Sequence, residues 1–111
     1  MYCTNDFEES LRKVKLEAKP MRVLKAWGRA ESPDVCCYMN WSGGFLMELE
    51  NGRFAYLSGW CDDTGWGCQD GAEVEHAAKL DDFKLPAEQW DENPADLNKW
   101  LAEGSKPWET R

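Results

Sequence analysis

Histidine is nearly absent from this chain of 111 residues, which contains only His76. A single imidazole leaves few ways to build the paired general acid and base of many hydrolases. The segment Leu57-Ser58-Gly59 lacks the context of a nucleophile elbow, and no glycine-rich loop followed by lysine is present to cradle a phosphate. These absences argue against most classes of enzyme.

Long hydrophobic runs and targeting segments are missing as well. No apolar stretch approaches the length that a bilayer-spanning helix needs. Residues 1–6 are polar and are followed by charge, unlike a signal peptide. Hydrophobic residues make up 42% of the chain, which is typical of a folded protein. We therefore expect a soluble cytoplasmic protein with a single domain over residues 1–111.

The number of cysteines, five, is odd and fits poorly with a fully paired secreted framework. In a reducing cytosol such thiols are packed as small hydrophobic groups, bind a metal or carry out redox chemistry. The cysteines therefore leave three interpretations open.

Negative charge is concentrated in the second half of the chain. Residues 1–61 contain eight acids and eight bases, whereas residues 62–111 contain thirteen acids and five bases, which accounts for the net charge of −8. An acidic surface repels nucleic acid and favours a basic protein surface as partner. Solubility alone is the alternative explanation.

The periodicity of apolar residues predicts a helix at each end of the chain. Phe7, Leu11, Val14 and Ala18 recur on one face of a helix over residues 5–18. A second helix is expected to begin at Asn93-Pro94 and to end at Gly104, with a buried stripe of Leu97, Trp100 and Leu101.

Short alternating segments between the helices predict strands. They cover residues 21–27, 35–41, 45–49 and 53–60, with turns at 31–34, Ser42–Gly44 and Asn51-Gly52. In the first strand Met21, Val23 and Trp27 are expected on one face. Residues 61–71 show no pattern, and residues 72–80 fit either a strand or a short helix. The fold class predicted is α+β, an antiparallel four-stranded meander with an N-terminal and a C-terminal helix.

A candidate zinc site lies around the central loop. Cys61 and Cys68 flank it, and His76 follows eight residues later. Thiolates and imidazole are the natural ligands of zinc, and four of them close a structural site. Cys36 and Cys37 are adjacent on a predicted strand, so only one of them faces the loop. Cys61, Cys68, His76 and either Cys36 or Cys37 would complete a tetrahedron. The spacing lacks a C-x2-C knuckle, so packed cysteines or a thiol-redox pair remain alternatives.

The same loop contains the candidate contacts to a partner. Trp66 lies between two glycines with no regular strand to hold it, which favours an exposed anchor, whereas Trp41 and Trp60 are expected to pack over the sheet. Asp62, Asp63 and Asp70 are candidate contacts to a basic partner.

Residues 52–69 carry a recognisable motif, Gly-Arg-Phe-Ala-Tyr-Leu-Ser-Gly-Trp-Cys-Asp-Asp-Thr-Gly-Trp-Gly-Cys-Gln. It resembles a motif of small proteins from bacteriophages and mobile elements, which covers about a sixth of this chain. The resemblance implies a phage-type protein in a bacterial cytoplasm. By analogy of size and origin, compact acidic phage proteins include inhibitors of host defence such as anti-CRISPR proteins.

The leading hypothesis is therefore a non-enzymatic anti-CRISPR protein that binds a basic surface of a Cas nuclease, with zinc, where bound, in a structural role. It would contact neither nucleic acid directly nor a membrane. A zinc-stabilised phage accessory module without a defence target is one alternative. A thiol-dependent enzyme is the other.

Overall fold

A computed structural model of the chain describes residues 4–30, 41–62 and 69–103. In chain order its elements are α1 (Thr4–Lys13), β1 (Pro20–Ala30), β2 (Trp41–Leu49), β3 (Phe54–Asp62), β4 (Gln69–Ala77), a 3-10 turn (Leu80–Asp82) and α2 (Ala95–Ala102). The four strands are antiparallel and lie in the order β1-β2-β3-β4. The predicted α+β meander with a helix at each end is confirmed. Neither helix among these residues has the length and apolar character needed to cross a membrane.

Helix α1 ends five residues before its predicted end. Beyond it, Val14, Leu16 and Ala18 pack against the core, whereas Lys15 and Glu17 are exposed. This alternation has the period of two of an extended chain. Val14 and Ala18 satisfy both the helical and the extended period, which explains why the sequence pattern predicted a longer helix.

The turn between β2 and β3 confirms the predicted Asn51-Gly52 hairpin. The Gly52 N–H donates to the Leu49 carbonyl (3.0 Å), and the Leu49 N–H donates to the Arg53 carbonyl (2.8 Å). Gly52 has φ +82°, a value that glycine adopts without a steric cost. Asn51 Oδ1 accepts from the Arg53 N–H (3.0 Å) and stiffens the turn. Leu49 and Arg53 are therefore a hydrogen-bonded pair that sets the register of the two strands.

The predicted turn at Ser42–Gly44 is wrong, because these residues lie inside β2. Gly43 is paired with Gly28 on β1 and with Gly59 on β3. Of the predicted strand over residues 35–41, residues 35–40 lie outside the described residues. The fourth strand of the sheet is instead β4, which answers the open question of residues 72–80 as far as Ala77. Residues 61, 62 and 69–71 of the patternless segment also belong to strands.

The two faces of the sheet carry different apolar clusters. The helices cover the first face, which holds the main core of Phe7, Leu11, Val23, Ala26, Phe45, Met47, Leu49, Ala55, Leu57 and Leu97. The second face holds a smaller cluster of Leu46, Tyr56 and Phe83, supported by Leu24, Phe54, Ala77, Leu85 and Trp90. The predicted alternation along β3 is confirmed, since Ala55 and Leu57 face the helices and Phe54 and Tyr56 face away from them.

A bulge in β1 overturns the face predicted for that strand. The register with β2 shifts between Val23 and Lys25, so Leu24 is an extra residue. As a result Val23 and Ala26 both belong to the core under the helices. Trp27 lies on the second face, whereas Val23 lies on the first, and Met21 is exposed.

Helix α2 begins at Ala95, after Pro94 at the N-cap, and closes the outer edge of β1. Its Asn98 side chain accepts from the Val23 N–H (2.8 Å) and donates to the Val23 carbonyl (3.0 Å). Farther along the edge, Ala26 and Asp91 exchange two backbone hydrogen bonds of 3.0 and 2.7 Å. These groups replace a neighbouring strand on β1.

Glu17 ties the extended segment after α1 to the β2–β3 hairpin. Its carboxylate accepts from Arg53 Nε (2.6 Å) and from Asn51 Nδ2 (3.4 Å). The hydrogen bond from Arg53 is the largest influence on Glu17 and holds the pKa of that carboxyl below its usual value.

A carboxyl group with a lowered folded pKa stabilises the fold above its unfolded pKa, and this contribution is lost as the pH falls through the folded pKa. We expect Glu17→Gln to lower the melting temperature at about pH 7, and the difference from the wild type to shrink on the acid side of about pH 4. Melting curves across this range measure it, with Glu50→Gln as the control on an exposed neighbour. An equal difference at all pH values would contradict the assignment.

Candidate functional site

Three aromatic rings meet on the second face of the sheet. Trp27 Nε1 donates to the Tyr56 hydroxyl (3.1 Å). The Trp90 ring packs against both, with centroid distances of 6.3 Å to Trp27 and 6.1 Å to Tyr56, and its own N–H donates to the Pro86 carbonyl (3.2 Å). Lys25 Nζ lies 5.1 Å from the Trp90 centroid, within range of a cation–π attraction. The hydrogen bonds hold this aromatic cluster in one arrangement.

Gly44 provides the room for the aromatic cluster. It lies opposite Trp27 on β1 and Ser58 on β3. A Cβ atom at Gly44 would lie 2.5 Å from the Tyr56 hydroxyl and closer still to Trp27 Nε1. The glycines that resembled a turn in the sequence therefore serve close packing of rings over a strand.

Trp60 lies farther along the same face and is 38% exposed. It pairs with Gly71 on β4, and a Cβ atom at Gly71 would lie 2.6 Å from the Trp60 ring. The ring therefore lies over the Gly71 backbone. Trp60 combines the packing that the sequence predicted with a solvent-facing surface that the sequence did not predict.

The strand register separates two of the predicted metal ligands. Cys61 pairs with Asp70, and His76 lies six residues farther along β4, opposite Ala55. At roughly 3.4 Å per residue, the Cα atoms of Cys61 and His76 are about 20 Å apart. One ion cannot bind both, since its ligand atoms lie about 2 Å away. His76 is thus removed from the predicted set.

His76 instead has a structural partner. Its Nε2 accepts from the backbone N–H of Glu17 (3.3 Å), so it fastens the extended segment after α1 to the end of β4. Cys61 is a half-buried residue near the end of β3. Cys36, Cys37 and Cys68 lie outside the described residues. Within residues 4–30, 41–62 and 69–103, no three His, Cys, Asp or Glu side chains are grouped to hold a metal.

Of the four residues predicted to contact a partner, two lie on described strands and two lie outside the described residues. Asp62 ends β3 and Asp70 lies on β4, one position farther than the Asp62–Gln69 pair, so the two are brought to the same end of the sheet. Trp66 and Asp63 lie outside the described residues. The aromatic cluster of Trp27, Tyr56 and Trp90 was missed, and its sequence signal was the double glycine before Phe45.

Acidic side chains dominate the surface built by residues 69–103. This stretch contains ten acids and three bases. The exposed acids come from β4, the 3-10 turn, the segment before α2 and α2 with its end: Glu73, Glu75, Asp81, Asp82, Asp91, Glu92, Asp96 and Glu103. Exposed bases are concentrated on α1, just beyond it and at the start of β1, at Arg12, Lys13, Lys15, Lys19 and Arg22, with three more among residues 69–103 at Lys79, Lys84 and Lys99. The charge asymmetry of the sequence is thus an asymmetry between elements of the fold.

Comparison of the chain with protein-family models, with curated proteins and with solved structures finds no significant match.

We expect the two glycines under the rings to differ in their tolerance of alanine. Gly44→Ala meets two hydrogen-bonded rings and should lower the free energy of unfolding by about 2 kcal/mol. The three atoms nearest to a Cβ at Gly71 belong to Trp60, whose ring is 38% exposed and has room to move, so Gly71→Ala should cost less than about 1 kcal/mol. Denaturant unfolding measures both. Equal costs would contradict a fixed aromatic cluster.

Proposed function

We propose that this chain is a non-enzymatic inhibitor made by a bacteriophage or mobile element, which acts in the host bacterial cytoplasm. Its target is a host defence protein with a basic nucleic-acid channel, most concretely a Cas nuclease. Such nucleases hold their guide–target duplex in a positively charged channel, where an acidic protein would compete with nucleic acid. The motif of residues 52–69 supports the phage context.

The observation that carries the proposal is the excess of exposed carboxylates over bases on residues 69–103. Eight carboxylates on this surface are exposed, including neighbouring pairs at Asp81-Asp82 and Asp91-Glu92. Their summed field attracts a basic partner, speeds encounter and repels nucleic acid. Trp60, exposed on the same second face as Tyr56, adds an aromatic ring of the kind that anchors protein interfaces.

The proposal predicts salt-sensitive inhibition that depends on the acidic surface. We expect the protein to lower DNA binding and cleavage by a Cas nuclease, and to do so less well as salt rises. Asp81→Asn with Asp82→Asn should weaken inhibition roughly three- to tenfold. The matched control, Glu9→Gln with Glu50→Gln, removes the same charge from exposed positions outside the acidic surface and should leave inhibition unchanged.

Unchanged DNA binding and cleavage across a panel of Cas nucleases would refute the target. Equal effects of the two double variants would refute the acidic surface as the binding site.

We propose in addition that Cys61, Cys68 and either Cys36 or Cys37 supply three of the four ligands of a structural zinc ion at the end of the sheet. The supporting observation is the position of Cys61 near the end of β3, where the chain enters residues 63–68. Zinc bound there would stabilise the fold, because a preformed site is absent from the unfolded chain.

Metal analysis of the purified protein tests this site. We expect about one zinc per chain, lost together with thermal stability in Cys61→Ser and retained in His76→Ala. Loss in both variants would contradict the geometry. A metal-free wild type would refute the site, and a folded Cys68→Ser protein that has lost activity would favour the thiol-dependent enzyme.

A further inference from the structure

The two outer edges of the sheet are treated differently. The edge of β1 is closed by the Asn98 amide and by the Asp91 backbone, which bond to Val23 and Ala26. Strand β4 pairs with β3 and with no other strand that the structure describes. At its far end, the His76 side chain accepts a hydrogen bond from the Glu17 N–H.

The β2–β3 turn determines which backbone groups of β4 point outward. Leu49 and Arg53 are a hydrogen-bonded pair, and pairing on an antiparallel ladder alternates. The even-numbered residues of β3 therefore bond to β4, which places Ser58 and Glu73, and Tyr56 and Glu75, in hydrogen-bonded pairs. The N–H and C=O groups of Asp70, Ala72 and Val74 point away from β3.

These outward groups meet no backbone partner among the described residues. A row of unpaired N–H and C=O groups on an edge strand is a template for another strand. The side chains beside them alternate as well. Ala72 and Val74 pack against the main core, whereas Glu73 and Glu75 are exposed on the second face.

We propose that the β4 edge from Asp70 to Val74 binds an extended segment of a partner protein by strand addition. The segment alternates basic residues, which meet Glu73 and Glu75, with small apolar residues, which extend the row of Ala72 and Val74. The inference relies on the proposed function only for the basic character of the partner.

A second copy of this chain is the occupant that charge disfavours. Two β4 strands paired antiparallel and centred between Glu73 and Glu75 would place glutamates directly opposite glutamates. Like charges opposite each other destabilise a strand pair, whereas opposite charges stabilise it. The same two residues thus favour a basic strand and disfavour a copy of β4 in this register.

The free protein tests the edge directly by amide hydrogen exchange. The amides of Ala72 and Val74 should exchange rapidly, whereas those of Glu73 and Glu75, bonded to β3, should be protected. Adding a synthetic peptide of alternating lysine and valine should protect Ala72 and Val74. Slow exchange of Val74 in the free protein would overturn the inference, as would an absence of peptide binding.

Charge selection is tested with variants of the two glutamates. Glu73→Gln with Glu75→Gln should weaken the lysine–valine peptide roughly 2- to 30-fold, the range that two cross-strand charge pairs give. Glu73→Lys with Glu75→Lys should transfer the preference to a peptide of alternating glutamate and valine. Equal affinity of the wild type for both peptides, or concentration-dependent dimers in sedimentation, would overturn the proposed occupant.

Ala72→Pro removes an outward N–H and leaves the ladder to β3 intact, as proline at a strand edge can. It should abolish peptide protection with little change in melting temperature, whereas Glu73→Pro should lower the melting temperature by breaking the ladder. Inhibition of a nuclease by Ala72→Pro at full strength would overturn the role of this edge in the proposed function. Peptide binding without any nuclease inhibition would leave the edge established and the nuclease target refuted.

Discussion

The register of the β2–β3 hairpin is the constraint on which the remaining architecture depends. Gly52, at φ +82°, closes a turn that makes Leu49 and Arg53 a hydrogen-bonded pair. A slip by one residue would exchange the two faces of β3, so Ala55 and Leu57 would leave the helices and Tyr56 would enter the core. The same register puts Gly44 beneath the aromatic cluster and turns the backbone of Val74 outward.

The sequence correctly predicted those elements whose local pattern is compatible with only one kind of structure. The Asn51-Gly52 turn, the alternation of β3 and the stripe of α2 around Leu97 were of this kind. Ser42–Gly44 was mistaken for a turn because glycine serves chain reversal and close ring packing equally well, and only the position of Trp27 and Tyr56 distinguishes them. The helix predicted over residues 14–18 was wrong for a similar reason, since Val14 and Ala18 fit both the helical and the extended period.

The strand register separates two ligands of the predicted zinc site, and the spacing of these residues in the sequence does not reveal that separation. Cys61 and His76 are fifteen residues apart in the chain, a distance that a loop could bring together and a continuous ladder cannot. Their separation depends on β4 being a strand, and the alanines and glutamates of residues 72–77 are weak strand formers. The excess of acidic residues was predictable because it follows from the sequence alone. The exposure of Trp60 was not, because it depends on the position of the ring on the folded sheet.

The edge of β1 is covered only as long as α2 stays attached to the sheet. Asn98 substitutes for a neighbouring strand, so detachment of α2 would uncover Val23 and the apolar residues beneath the helix in a single step. The exposed strand would then present the unpaired backbone groups of Val23 and Ala26 at the edge of the sheet. Fraying of the C-terminal helix would therefore open a second strand edge to other molecules, next to the one that β4 already presents.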